Sequence, residues 1–294
     1  MLTSINLSRK IRREYQKSSL VQQMAFNDAG VKASNYRDLL SYKSSDTLYI
    51  LGSGASVLKL SGSRWNDVLG ADSFGLNLWT IHPHVPTYYT FELPRVPLVR
   101  KIMLHNYRNR LEDYSNTAVL LKAEANYDRD LVRELSEDSR LENVDLMIPA
   151  YHTVGNEPQL VYLLKNYENI QSKFRLAERG IFFRKRASVL FAVMFAYDLG
   201  YKNIVFCGVD GYAGSGYFYH DTTGLSIAQG AIVPVASSPS VKAVHKTMST
   251  EHDSLNVDYC LRLMSKHLFD ENGVRMWVGS ANSMLSEWMP PWKW

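Results

Sequence analysis

The chain is short of cysteine, of long apolar runs and of any strong excess of charge, and each shortage removes a class of protein. Among 294 residues only Cys207 and Cys260 are cysteines, one in an expected strand and one in an expected helix, and neither belongs to a CxxC pair. A disulfide scaffold and a cysteine-held zinc ion are therefore excluded, and a reducing compartment fits. No run of about 18 apolar residues is present, and Arg9, Lys10, Arg12 and Arg13 are not followed by the apolar stretch of a secretion signal. The expected location is the cytoplasm. A formal net charge of +4 is too small to mark a nucleic-acid binder but suits anionic small molecules or an anionic surface. The basic N-terminal cluster, with Trp288, Trp292 and Trp294 near the other end, could rest on an anionic membrane face; the plainer alternative is a solvated helix face and a tail packed on the core. HExxH, GxSxG and a Walker lysine are also missing. Asp128-Arg129-Asp130 has the form of a metal-holding DxD, yet it directly precedes the helical run LVREL, where acidic residues complement a helix N-terminus.

What the chain does have is the stretch LYILGSGASVLKL, residues 48–60. Four apolar residues suit a strand buried on both faces of a parallel sheet. Gly52 and Gly54 allow a sharp turn and a close backbone approach, and a helix after them would offer free N–H groups to a phosphate. A strand-to-helix turn with no ligand is the alternative. The third glycine of the dinucleotide fingerprint is replaced by Val57, and Asp72 precedes the apolar segment 74–79 instead of ending it. A nicotinamide-type site is not expected.

Further strands are expected at residues 74–79, 87–91, 118–121, 144–148, 204–207 and 276–278, and helices at 158–169, 188–199 and 256–268. Alternation of this kind predicts an α/β fold, a Rossmann-like nucleotide-binding domain with a mostly parallel sheet and helices on both faces. We divide the chain into a helical extension, 1–45, and this domain, 46–294. No internal repeat is visible. Residues 211–251 are rich in glycine, serine and threonine and lack long periodic segments. They begin where strand 204–207 ends, the side on which open α/β sheets bind ligands, and are read as a flexible lid. The lid carries Tyr212, Tyr217, Tyr219 and His220, and Glu251-His252-Asp253 closes it. An imidazole can take a proton from a hydroxyl, and phenols can donate hydrogen bonds to a departing phosphate. A capping histidine among packed tyrosines is the alternative.

Four segments in this order resemble the bacterial lipooligosaccharide sialyltransferases. ILGSGASVL is similar to that family's first strand and turn, usually Gly-Asn-Gly-Pro-Ser-Leu, and FGLNLW to its second strand with a nucleotide-contacting asparagine. AVMFAYDLGYKNIVFCGVDGY is similar in helix, turn, strand and terminal Asp-x-Tyr, and EHDSLNVDYCLRLMSKHLFDENGVRMWVGSANSML resembles the segment with the catalytic histidine. The resemblance implies that His252 is the general base and that Tyr212 is one of two phosphate-holding tyrosines. Tyr217 and Tyr219 flank the place of the second, where Phe218 falls without a gap. It also implies nucleotide contacts from Gly52, Ser53, Gly54, Asn77, Thr90 and Asp210, and donor contacts from Lys185, Arg186 and Ser188. Ser53 replaces the asparagine of the family's first turn and Thr90 stands near the third strand's asparagine, and both keep a hydrogen-bonding side chain of shorter reach.

The implied activity is that of an inverting CMP-sugar glycosyltransferase that needs no metal or other cofactor. It moves a 2-ulosonic acid, sialic acid or 3-deoxy-manno-octulosonic acid (Kdo), from its CMP-activated form to a hydroxyl of a cell-surface glycan. Lipopolysaccharide core and capsule are the expected acceptors, the cytoplasmic membrane face is the expected place, and a homo-oligomer is compatible with it. Two other readings stay open. A pterin-type diphosphokinase would use ATP and magnesium held by Asp210 and Asp221. A non-catalytic nucleotide or glycan binder would use His252 only structurally.

Overall fold

The computed structural model describes residues 13, 36–92, 96–122, 146–147, 150–174, 181–184, 187–211, 216–220, 227–235, 244–245, 247–249 and 255–294. Among the described residues nine short strands form, in chain order: β1 (Thr47–Leu51), β2 (Asp72–Leu76), β3 (Tyr88–Glu92), β4 (Ala118–Lys122), β5 (Leu146–Met147), β6 (Ala150–Thr153), β7 (Ile181–Arg184), β8 (Asn203–Cys207) and β9 (Arg275–Val278). Seven of them make one sheet in the order β5-β4-β3-β2-β1-β8-β9, with every pair parallel. β6 and β7 form a separate parallel pair that the periodicity does not announce.

Side chains alternate across the sheet, so each strand feeds two cores. Leu48 and Ile50 of β1, Phe74 of β2, Tyr88 of β3 and Ile204 of β8 face one way. They meet α3 (Glu157–Lys165), α5 (Ser188–Asp198) and α6 (Val257–Met264). α4 (Tyr167–Phe174) lies between α3 and β7 in the chain and adds Tyr167 and Ile170 to that core. Tyr49 and Leu51 of β1, Tyr89 of β3 and Val205 and Cys207 of β8 face the other way, toward α1 (Gly62–Leu69) and α2 (Pro97–Arg108). A sheet covered on both sides explains why its strands read as unbroken apolar runs. Every residue of α5 from Ser188 to Ala196 is buried, as befits a helix lying across the middle of the sheet.

Several elements differ from the sequence expectation for identifiable reasons. The strand expected to reach residue 79 stops at Leu76, because Asn77 takes a left-handed backbone (φ 53°) and a short 3-10 turn, Asn77–Ile81, follows. That turn folds Trp79 back over Gly75, where a Cβ would lie 2.7 Å from the indole. The single helix expected at 158–169 is two helices, broken at Asn166, whose side-chain amide donates to the Tyr162 carbonyl at 2.8 Å. The apolar spacing after the glycine turn forms a 3-10 turn, Ala55–Lys59, before α1 begins. α1 and α2 were not expected, although Pro97 at the start of α2 is a favoured first helical residue.

The extension also joins the sheet domain. Leu39, in the 3-10 turn Tyr36–Tyr42, is 1% exposed in the main core, and Tyr88 donates its hydroxyl to the Leu39 carbonyl. Backbone N–H groups of Ser44 and Ser45 both donate to the buried carboxylate of Asp72. The tryptophans near the C-terminus pack on the protein: Trp294 stacks on Tyr49, Trp292 meets Tyr49 and Trp277, and Trp288 donates to Asp258. Both cysteines are buried free thiols. Among the described residues no helix is long and apolar enough to cross a membrane.

Candidate active site

The strand order reverses at β1. After β1 the chain builds outward through β2, β3, β4 and β5, then returns to lay β8 against the other edge of β1. A cleft is expected at the carboxyl ends of strands flanking such a switch point. A cavity of about 430 Å³ lies there, lined by the loops after β1, β2 and β8, the end of β3, the start of α5, Gly216 and Tyr217, and the segment around His245.

The glycines behave differently from their sequence reading. Gly52 donates to the Cys207 carbonyl at 2.7 Å and Gly54 to the Gly208 carbonyl at 2.8 Å, so the turn continues the ladder between β1 and β8 beyond the strands. A Cβ on Gly52 would sit 2.4 Å from the Gly208 oxygen, and one on Gly208 (φ +69°) 2.4 Å from the Gly52 oxygen. The close approach demanded of these glycines is backbone to backbone. Gly54 is in turn overlaid by Asp210, whose carboxylate would lie 2.5 Å from a Cβ there. Asp210 accepts from both the N–H (3.0 Å) and the hydroxyl of Ser56, capping from outside a turn whose own N-cap, Gly54, has no side chain. Burial raises the Asp210 pKa, and the two Ser56 hydrogen bonds and Lys59 pull against that. As placed, Asp210 staples the turn at the edge of the cavity.

With Ala55 donating to the Gly216 carbonyl, the N–H groups of Gly52, Gly54, Ala55 and Ser56 are all spent on protein acceptors. In the turn, Ser53 keeps its N–H outside any bond to a described residue. The first part of the lid is bound to this turn. Phe218 donates to the Ser53 carbonyl, and Tyr217 forms an isolated antiparallel bridge with Gly54. Tyr217 is 40% exposed and lines the cavity, whereas Tyr219 is 4% exposed, stacked behind it at 5.1 Å. Burial pushes the Tyr219 pKa well up, which keeps it a neutral phenol. Phe218 is wholly buried against Trp79. Of the three residues around the second tyrosine position, the structure brings Tyr217 to the cavity.

Asn77 also reaches it. Its Oδ1 accepts the Glu92 N–H at 3.2 Å, which fixes the side-chain amide with Nδ2 as a donor. Tyr89 donates its hydroxyl to the Asn77 carbonyl, holding the left-handed backbone in place. Thr90 does not line the cavity: it is fully buried and its hydroxyl donates to the Leu120 carbonyl of β4 at 2.7 Å. Ser188, first residue of α5, lines the cavity and donates to Glu92 at 2.6 Å. Glu92 and His245 are lining residues that the sequence reading missed. A glutamate at the end of an apolar strand is a weak signal, and His245 sits in an aperiodic stretch. His252, Tyr212, Lys185 and Arg186 lie outside the described residues, as do Asp221 and Asp128-Arg129-Asp130. The ionisable side chains lining the cavity among the described residues are Glu92, Asp210, Tyr217 and His245. Hydrogen-bond donors for a ligand come from Ser53, Asn77 and Tyr217, all neutral groups.

No protein-family model matches the chain, and no curated protein matches it in sequence. Among solved structures it is similar to the sialyltransferase CstII from Campylobacter jejuni, in complex with cytidine-5'-monophosphate, at 13% identity and a TM-score of 0.41. The similarity covers 83% of this chain and 84% of that one. It is also similar to the monofunctional alpha-2,3-sialyltransferase Cst-I from Campylobacter jejuni, at 16% identity and a TM-score of 0.43, over 84% of this chain and 80% of that one.

Proposed function

We propose that this protein is an inverting glycosyltransferase that moves a 2-ulosonic acid from its CMP-activated donor to a hydroxyl of a cell-surface glycan. One observation carries the reading. Ser53, Asn77, Ser188, Asp210 and Tyr217 are scattered over the chain, were singled out by likeness to CMP-sugar transferases, and line one cavity at the switch point of a parallel sheet. Its volume, about 430 Å³, is within the usual range for a small-molecule site.

In this mechanism CMP sits over the glycine turn, with Asn77 and Tyr217 donating to it. The acceptor oxygen attacks the anomeric carbon as the bond from that carbon to the phosphate oxygen breaks, and CMP departs with the bonding electrons. The acceptor proton passes to the His252 imidazole. Direct displacement inverts the anomeric centre, and neutral donors together with phenols stabilise the leaving phosphate without a metal. The donor is sialic acid or Kdo, both 2-ulosonic acids activated by CMP. The basic N-terminal cluster would hold the enzyme near an anionic cytoplasmic membrane face, where a lipid-linked acceptor is found.

The test is CMP release from CMP-sialic acid and CMP-Kdo, with ATP plus magnesium as the contrasting nucleotide. Wild type should release CMP from one donor, and His252→Ala should lower that rate about a hundred- to ten-thousand-fold while still binding CMP. Equal slow release by both proteins would overturn the base assignment, and binding of ATP in place of CMP would overturn the donor class.

A further inference from the structure

The start of α2 and the segment 227–235 hold apolar side chains out in water. Val96, Pro97 and Leu98 are three consecutive exposed residues, Leu98 at 65%, and Val235 is 94% exposed. A single exposed apolar residue is ordinary on a protein surface, whereas a consecutive run is not. Val235 packs against almost nothing, so the fold does not account for it.

The two pieces share one face. Asn106 of α2 donates its side-chain amide to the Ile232 carbonyl at 2.9 Å and accepts the Ile232 N–H at 2.7 Å, while Asn109 Nδ2 lies 3.5 Å from the Gly230 carbonyl. The segment thus advances from Gly230 to Ile232 as the helix goes back from Asn109 to Asn106, and the two run antiparallel. Leu98 lies eight residues before Asn106, about 12 Å along the helix, and Val235 three residues beyond Ile232, about 10 Å of extended chain. Both apolar tips are carried toward the same end, the carboxyl edge of the sheet where β3 leads into α2. The His220 ring lies 3.2 Å from the Pro234 carbonyl, which ties this end of the segment to the turn containing the cavity-lining Tyr217.

Charge on this face has one sign. No aspartate or glutamate occurs from residue 93 to residue 111, a stretch that holds Arg100, Lys101 and Arg108, and residues 222–241 carry no charge at all. Lys101 is exposed, one helical turn from Leu98. Apolar tips beside cations, with no acid among them, match the headgroup region of an anionic bilayer: the valine and leucine pass below the phosphates and the cations stay level with them. A second copy of the chain would set this positive charge against itself. We propose that the first turn of α2 and the tip at Val235 dock on an anionic phospholipid surface. This goes beyond the reading of the cavity and does not depend on it, and the surface is separate from the basic N-terminal cluster.

Co-sedimentation of the full-length protein with vesicles of phosphatidylcholine, alone or mixed with phosphatidylglycerol, tests it. Wild type should bind the mixed vesicles about tenfold more tightly than the neutral ones. Leu98→Asp and Val235→Asp should each weaken binding to the mixed vesicles about tenfold, and Lys101→Gln about fivefold. All three side chains stand in solvent, so the melting temperatures should match that of wild type. Wild type that binds neither vesicle, or both equally, would overturn the proposal. So would binding that survives Leu98→Asp and Val235→Asp but vanishes when Arg9, Lys10, Arg12 and Arg13 are replaced by glutamine. Sedimentation velocity without lipid covers the remaining occupant: a dimer that Leu98→Asp and Val235→Asp turn into a monomer would assign the face to a second copy and refute docking on lipid. Both native cysteines are buried, so a polarity-sensitive dye can be placed on Val235→Cys alone. Its emission should shift to the blue on mixed vesicles, and the same dye on Lys202→Cys, at the opposite edge of the sheet, should not respond; no shift at position 235 would refute the contact. None of these measurements uses a nucleotide or turnover, so a failure here and a failure of the CMP reading are told apart.

Discussion

Asn77 combines a strained backbone with a presented amide, and the two can be separated. A non-glycine residue at positive φ is uncommon, although asparagine tolerates it better than most. Asn77→Gly removes the side chain while suiting the backbone. Stability should stay within about 1 kcal/mol of wild type, because relief of strain offsets the lost bond to Glu92. CMP affinity should fall about tenfold, the worth of one well-placed donor. Retained affinity by calorimetry would mean that the left-handed turn, and not the amide, is what the position supplies. Gly208 makes the opposite case. Gly208→Ala needs positive φ and drives a methyl into the Gly52 oxygen and Val57, so urea unfolding should show a loss of about 2–4 kcal/mol. A smaller loss would show that the loops after β1 and β8 can separate cheaply.

Between β2 and β3 the chain makes an aromatic stack of an unusual kind. His82 stacks on Trp79, at 4.4 Å and 18°, and on Trp65 of α1, at 5.0 Å and 28°, while the two indoles lie 6.5 Å from each other. Its Nδ1 accepts the His84 N–H, so Nε2 bears the proton, and that buried atom has no described partner. Burial, then His84 and Arg110, lowers the His82 pKa to about 3; burial and Arg110 lower that of His84 to about 4. In the unfolded chain both titrate near 6.5, so below that pH the unfolded chain takes up protons that the folded one refuses. Their contribution to stability is complete above about pH 6.5 and is lost as the pH falls toward 4, by at most about 1.4 kcal/mol per pH unit for each ring. The melting temperature should fall over that interval, and less steeply in His82→Phe; identical slopes would exclude the stack as the acid-sensitive element. Legibility differs among elements for similar reasons of environment. β1, β3, β4 and β8 were readable because burial on both faces leaves continuous apolar runs. β6 and β7 were not, being four-residue strands of mixed polarity in a second sheet. The glycine turn and Asn77 left a trace because backbone shape restricts residue choice. Glu92 left only a weak trace, and His245 and the stapling role of Asp210 left none, because tertiary placement alone decides what an ordinary side chain faces.

For the molecule as a whole, a ligand that bridges the two sides of the switch point should couple to global stability. CMP at a hundred times its dissociation constant should add about 2.7 kcal/mol, which for a chain of this size raises the melting temperature by roughly 4–5 °C. No shift at saturating CMP would separate the cavity from nucleotide binding. The same switch point has a consequence for synthesis. β1 can pair with β2 almost as soon as both have left the ribosome, but its opposite edge is completed only when Thr47 meets Asn203, about half the chain later. At ordinary elongation rates that interval is on the order of ten seconds. Throughout it, a flat apolar strand has one row of unpaired amides available to any neighbouring nascent chain. Refolding from denaturant should accordingly be slow and sensitive to concentration, since the pairing that closes this edge is among the most distant in sequence.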